Sequence, residues 1–410
     1  MTRKMSLKNQ PALTPLALAL SSCMFLPNMA SAADSFTEAL TGGKVNADIN
    51  IRYETVDVDG APSGTALTER TRLGYKTGDF KGFSAFVEMS GTESIGSRDD
   101  YKVPLGPDAN PTVSKGVVLD PAITRLNQAW IDYSFSKSNL KLGKQRIILD
   151  NRYLGNVGWR QTEQVYNGFS AKIKEFDAVS IDYAYIAEQD NPLGLQIPMS
   201  THAVKADIKV IPGAVVTGYG YFIDKLNSTA DSKTLGARIK GSASVSEGVD
   251  LTYFAEYADQ TEYADSASTV GGDYYHVKLG GKFSGITAVV AQEKLGGDGV
   301  SSFQTPLATL HLYNGWADKF LTTPVKGLVD TYATLGTKIS GIKLGAAYHD
   351  FKSDKNSDSY GSEIDLLAAK KFGKNYLVGV KYASYSGDSS APGALALDTS
   401  KLWVWTSVKF

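Results

Sequence analysis

The sequence predicts an all-β protein: a transmembrane antiparallel β-barrel of about 18 strands with an N-terminal signal peptide. Three observations carry this reading. Apolar and polar residues alternate with period two through most of the chain, which places them on opposite faces of strands. No apolar run beyond residue 32 approaches the roughly 18 residues of a spanning helix. The connections between alternating segments are short and long in turn, as the two ends of a bacterial barrel require.

Residues 1–32 read as the signal peptide. Arg3, Lys4 and Lys8 supply the charged start, Leu16 to Leu26 the apolar stretch, and Ala30, Ser31 and Ala32 a small-residue cleavage site. Leu20, Ser21, Ser22 and Cys23 form a competing lipidation box, but the apolar stretch continues past Cys23 to the better cleavage site. Cys23 is the only cysteine, so the processed chain has none. That excludes a disulfide framework and thiolate metal sites. Cleavage removes three of the 42 basic residues and none of the 43 acidic ones, leaving a net charge of −4. Bulk charge therefore gives no case for a nucleic-acid partner.

Residues 33–43, ADSFTEALTGG, form a short segment ahead of the barrel that fits one helical turn ended by Gly42 and Gly43. The barrel is expected over 44–410. Its first strand, 44–57, sets Val45, Ala47, Ile49, Ile51 and Tyr53 against Asn46, Asp48, Asn50, Arg52 and Glu54. Further strands are expected near 67–77, 82–91, 122–136, 139–149, 164–174, 178–188, 201–211 and 214–223. The remainder fall near 233–244, 249–259, 273–283, 286–295, 328–339, 342–352, 360–371, 375–386 and 398–410, for eighteen in all. Short turns include 340–341 and 283–285. Long polar segments lie at 92–121, 150–163, 189–200, 260–272, 296–327 and 387–397. All eleven prolines after residue 32 are expected in or beside connections, because strand interiors need every ladder donor. With short turns inside and long loops outside, both termini are expected in the periplasm. The last strand ends in Phe410, as an outer-membrane sorting signal does.

At GKQRIILDNRYLGNVGWRQTEQ (143–164) and HLYNGWADKF (311–320), the chain resembles porins of the alginate-export family. The start KVNADINIRYETVDVDG and the ending from IKLGAAYHDF to Phe410 are similar too. The resemblance implies an eighteen-stranded outer-membrane barrel with arginines in its lumen, giving hydrophilic solutes passive passage. It does not imply alginate as cargo.

Selectivity in such a channel is set by lumen charges. The candidate pore-lining residues are Arg52, Arg70, Arg72, Arg125, Lys144, Arg146, Arg152 and Arg160, with Glu88 and Asp132. Lys144 and Arg146 are placed late in the fifth strand, and Arg152 and Arg160 in the following loop. A guanidinium fork holds carboxylates by paired hydrogen bonds, so this set predicts a track for small anions or acidic sugars. The equally weighted alternative is that the arginines pair with nearby acids, among them Glu54, Glu69, Glu88, Asp132, Asp150 and Glu163. Tyr313, Trp316 and Asp318 are candidate loop contacts to a solute, weighed against a role in anchoring their own loop.

No nucleophile elbow or H-E-x-x-H pair is present, and no metal or cofactor is implied. His202 and His276 are expected near membrane interfaces. A closed structural or adhesive barrel and an outer-membrane barrel lipase remain as alternatives to a channel. The expected surroundings are outer-membrane lipid and lipopolysaccharide, and the sequence leaves the oligomeric state open.

Overall fold

The computed structural model describes residues 33–226, 228, 230–266 and 269–410. The signal peptide and Cys23 lie outside the described residues. A short helix, α1 (Phe36–Thr41), opens the described chain. Ser35 caps it, accepting from the Glu38 amide while the Glu38 carboxylate accepts from the Ser35 amide.

Eighteen strands follow: β1 (Lys44–Val58), β2 (Gly64–Lys76), β3 (Phe83–Ser94), β4 (Ile123–Phe135), β5 (Ser138–Gln145) and β6 (Val165–Ile173). Next are β7 (Val179–Asp190), β8 (Gln196–Ile208), β9 (Ala214–Ile223), β10 (Ser232–Ser246), β11 (Val249–Glu262) and β12 (Gly272–Phe283). The last six are β13 (Ile286–Leu295), β14 (Leu328–Ile339), β15 (Ile342–Lys352), β16 (Ser359–Phe372), β17 (Tyr376–Gly387) and β18 (Thr399–Lys409). Each pairs antiparallel with its sequence neighbours, and β1 pairs with β18, so the sheet closes and has no free edge. The closing ladder runs from Asp48 opposite Lys409 to Val58 opposite Thr399. Phe410 extends it, its amide donating to the Ala47 carbonyl at 2.9 Å.

Turns and loops segregate to opposite ends as expected. The β12–β13 and β14–β15 turns have two residues each, Ser284–Gly285 and Ser340–Gly341, all at positive φ. That is the I′ pattern, whose twist matches the strands it joins, and glycine takes its second position without strain.

The outward face is apolar. Ile51, Leu67, Leu73, Val87, Leu142, Leu279, Leu335, Leu366 and Val404 are exposed there, as a surface meeting lipid requires. The inward face is polar and crowded: Arg52, Glu54, Arg70, Asp330, Glu363 and Lys381 are all buried. They are covered by two long connections, 146–164 and 296–327, that fold into the barrel rather than away from it.

The sequence expectations need four adjustments. β5 stops at Gln145, so residues 146–149 belong to the inward loop. The 189–200 loop shrinks to 191–195, because β7 and β8 run further than expected. Pro198 consequently lies within β8, opposite Glu188 at a register shift and beyond the β8–β9 ladder, where no bond needs its missing donor. Finally, β4 carries a bulge between its pairs Gln128–Glu88 and Leu126–Met89. The extra residue, Asn127, turns inward beside Gln128, so Arg125 and Asp132, which strict alternation would part, both face the lumen.

Candidate functional site: the lumen wall and its two inward loops

The candidate residues separate into two sets. In the first, strands β1–β5 bring together Arg70, Arg72, Arg125 and Arg146. Arg70 and Arg72 sit on the inward face of β2, two residues apart and opposite Asn50 and Asp48 of β1. Arg146 reaches across from just past β5, and Arg125 stands on β4.

Three carboxylates answer these four guanidiniums. Arg70 pairs with Asp48 at 2.7 Å. Arg146 pairs with Glu88 at 2.9 Å and Glu163 at 2.6 Å, and Arg72 approaches Glu163 at 3.4 Å. Arg125 instead donates to the backbone carbonyls of Asn191 and Glu163 and to the Asn127 side chain, and among the described residues it has no carboxylate at ion-pair distance. Asn127 and Gln128, made neighbours by the bulge, donate to Glu88 at 2.7 and 3.0 Å. Arg146 is more exposed than the β2 pair, with 31% of its side chain exposed against 7% for Arg70 and Arg72.

Glu163 anchors the group. Burial opposes its ionised form, but the Arg146 and Arg72 guanidiniums and the Asn127 amide outweigh that cost and hold its carboxyl well below the usual carboxylate range. Glu69, offered by the sequence as a counter-charge, lies on the outward face of β2 and contributes nothing here. Lys144 pairs with Asp190 at 2.6 Å. Asp132 accepts from Ser134 and Asn139 at 2.9 and 2.7 Å, so its bonds stay within its own hairpin.

The second set is enclosed. Arg52 pairs with Asp120 at 3.3 Å, lies 4.4 Å over the Trp159 ring and donates to the Trp159 carbonyl. Arg160 grips Glu54 at 2.9 Å and Asp318 at 3.3 Å. Arg152 pairs with Glu293 at 2.9 Å and packs over the Tyr313 ring at 4.6 Å. For these three, the paired reading describes the geometry: each ties the 146–164 loop to the wall or to the facing loop.

The YNGWADKF segment is fixed just as firmly. Asn314 donates to Glu293 and Asp330 at 2.8 and 3.2 Å, and the Ala317 amide donates to Glu363 at 2.7 Å. Gly315, at φ +82°, permits that approach: a Cβ there would stand 2.3 Å from Glu363 Oε2.

Behind it lies a group that alternation alone did not single out. The Lys381 ammonium sits 3.6 Å from the Trp316 ring, 4.3 Å from Trp159 and 5.5 Å from Trp403. It donates to His311 Nε2 at 2.7 Å, while His311 Nδ1 bonds Asp318 at 2.7 Å. Burial, with Lys381 alongside, overcomes the pull of Asp318 and pushes His311 down to about 3. The ring is therefore neutral, donating from Nδ1 and accepting at Nε2. Asp318 also binds Lys401 at 2.8 Å. The aromatic signal was present in the sequence as Trp403 and Trp405 on the inward parity of β18, but its partners come from remote loops.

Of the histidines, His202 faces outward between Tyr183 and Tyr185, in keeping with an interfacial place. His276 does not: it is buried on the lumen face, bonded to Tyr332 at 2.9 Å. His276 lies on the same parity as Tyr274 and Lys278, so the alternation of β12 turns it inward.

A closed eighteen-stranded antiparallel barrel with a polar, loop-constricted lumen is the fold of outer-membrane porins. No family model matches the sequence, and no curated protein matches it. Solved structures do. OccAB2 of Acinetobacter baumannii matches at TM-score 0.73 and 14% identity, over 91% of this chain and 99% of that one. OccK9 (OpdG) of Pseudomonas aeruginosa matches at 0.71 and 14%, over 91% and 100%. OpdK of Pseudomonas aeruginosa, in a structure with vanillate, matches at 0.70 and 12%, over 90% and 98%. These are Occ/Opd porins, which share the eighteen-stranded barrel implied by the alginate-export resemblance. At such identities the likeness establishes the fold.

Proposed function

We propose that this chain is an outer-membrane porin that passes small hydrophilic solutes passively and prefers anions, carboxylates above all. The observation that carries the preference is the partly exposed Arg146 at the head of four guanidiniums served by only three carboxylates. A carboxylate entering the lumen meets donors whose charge is incompletely cancelled, in a confined space where screening by salt is reduced. Arginine suits the task because it stays ionised at any relevant pH and binds carboxylate in two-point fashion.

In this reading the apolar band meets outer-membrane lipid and lipopolysaccharide, both termini lie in the periplasm and the long connections lie at the cell surface. The resemblance of the segments at 143–164 and 311–320 to alginate-export porins makes acidic sugars one solute class to try. Vanillate, present in the OpdK structure, adds aromatic carboxylates as a second. The proposed activity is conduction, without catalysis; phospholipid hydrolysis by the purified barrel would argue for the lipase alternative.

A second reading has its own observation. The Trp159–Lys381–Trp316 packing fills part of the lumen beside β17 and β18, as a structural barrel would. Liposome swelling with solutes of graded size separates the two. A channel admits small carboxylates and excludes large ones, whereas a closed barrel admits none.

A further inference from the structure

Apart from the lumen, the outer loops bring three carboxylates together. Asp224 follows β9, Asp231 immediately precedes β10, and Asp265 lies in the β11–β12 connection. One oxygen from each lies within 4.8 Å of the other two. Calcium binds oxygens at roughly 2.3–2.6 Å, so two ligands on opposite sides of one ion stand about 5 Å apart. The spacing matches.

The positions are built rather than incidental. The Asp224 amide donates to Thr201 Oγ1 at 3.0 Å, and its carbonyl accepts from the Ser200 amide at 3.0 Å, which fixes the start of the loop. Phe222 and Tyr263, with ring centroids 5.7 Å apart, clasp the two connections beside the cluster. Asp231 is the independent sign of a ligand. It is fully buried, with Oδ1 accepting from the Lys225 amide at 2.8 Å, while Oδ2 meets no N–H or O–H donor among the described residues and the carboxylate stands against that of Asp265. A buried carboxylate oxygen left unmatched is costly, and facing carboxylates add repulsion. Among the described residues no Lys, Arg or His forms an ion pair with any of the three; Lys225, next in the chain to Asp224, does not do so either.

We propose that Asp224, Asp231 and Asp265 bind a divalent cation of the calcium class, which joins the β9–β10 and β11–β12 loops at the barrel mouth. Three carboxylates with an open side for water suit calcium. Magnesium demands a tighter octahedron and keeps more of its own waters.

The test is calorimetric titration of calcium chloride into the full-length mature barrel, refolded in detergent without lipopolysaccharide so that lipid phosphates bind none of the metal. One saturable site is expected, with an affinity on the order of 10⁻⁴–10⁻³ M, typical of extracellular calcium modules. Asp265→Asn, at an exposed position that leaves folding intact, and Asp231→Asn should each weaken it at least about tenfold. Absence of saturable binding by the wild type, or unchanged binding in Asp265→Asn, would overturn the proposal.

Discussion

Two adjoining regions of the lumen wall are built by the same alternation yet handle positive charge in opposite ways. On the β1–β5 side, Arg70, Arg72, Arg125 and Arg146 share three carboxylates, and Arg146 keeps 31% of its side chain exposed. Beside it, on β17 next to the β18–β1 closure, Lys381 is shut between Trp159, Trp316 and Trp403 and handed to His311 and Asp318. A cation in the lumen is thus not automatically a cation in the path. What decides is whether loops 146–164 and 296–327 cover it. The comparison also divides the candidate residues: Arg52, Arg152 and Arg160 hold the covering loops, while in the β1–β5 group Arg70 and Arg72 are buried and Arg146 keeps part of its side chain exposed.

The largest effect is expected where the covered side is broken. Asp318→Ala strips Arg160, Lys401 and His311 of a shared buried partner. Leaving buried charges unmatched costs about 3–5 kcal/mol, readable as a lowered unfolding midpoint in detergent. If the midpoint does not move, the enclosed network is not what holds the loop.

Acid should act on the same region. His311 has a folded pKa of about 3 against 6.5 when unfolded. Between those values the unfolded chain binds the extra proton, so stability falls as pH drops from 6.5 towards 3. Glu163, whose folded pKa is also depressed, contributes stability present above its unfolded value and lost further down the acid scale. Unfolding measured across this range should show a slope that flattens in His311→Gln; an equal slope in the variant would assign the acid effect elsewhere.

Lys381→Met should be milder. The side chains are close in volume, and an apolar replacement of an enclosed ion is often neutral, so a change under about 1.5 kcal/mol is expected. Ion selectivity should not move. A selectivity change in this variant would mean the tryptophan-enclosed lysine meets the solute path after all.

Smallest for stability is Arg146→Ala, where the lost side chain is partly wet and Glu163 keeps Arg72 and Asn127. Its effect belongs to conduction.

How much of this was legible beforehand follows from the range of each interaction. The strands were, because period-two burial is local: β9, β13, β14 and β15 begin and end where alternation does. The inward position of Arg70 and Arg72 was legible for the same reason. Asn127 was not, since a bulge is one residue that local pattern absorbs without trace. The pairing of Arg160 with Glu54, or of Lys381 with Trp316, depends on loops folding back over more than 60 residues of chain, and no spacing rule encodes that. Arginine type identified cationic candidates but not their surroundings, which is why pairing and anion passage stood level in the sequence. In the structure Arg52, Arg152 and Arg160 are enclosed in ion pairs, while the anion path past Arg146 is a proposal.

The most direct test of the account is the reversal potential of single channels in a planar bilayer under a potassium chloride gradient. Wild-type channels are expected to favour chloride, with the preference clearly reduced in Arg146→Ala and unchanged in Lys381→Met. Cation preference in the wild type, unaltered by Arg146→Ala, would contradict the claim that the β1–β5 arginines set the path.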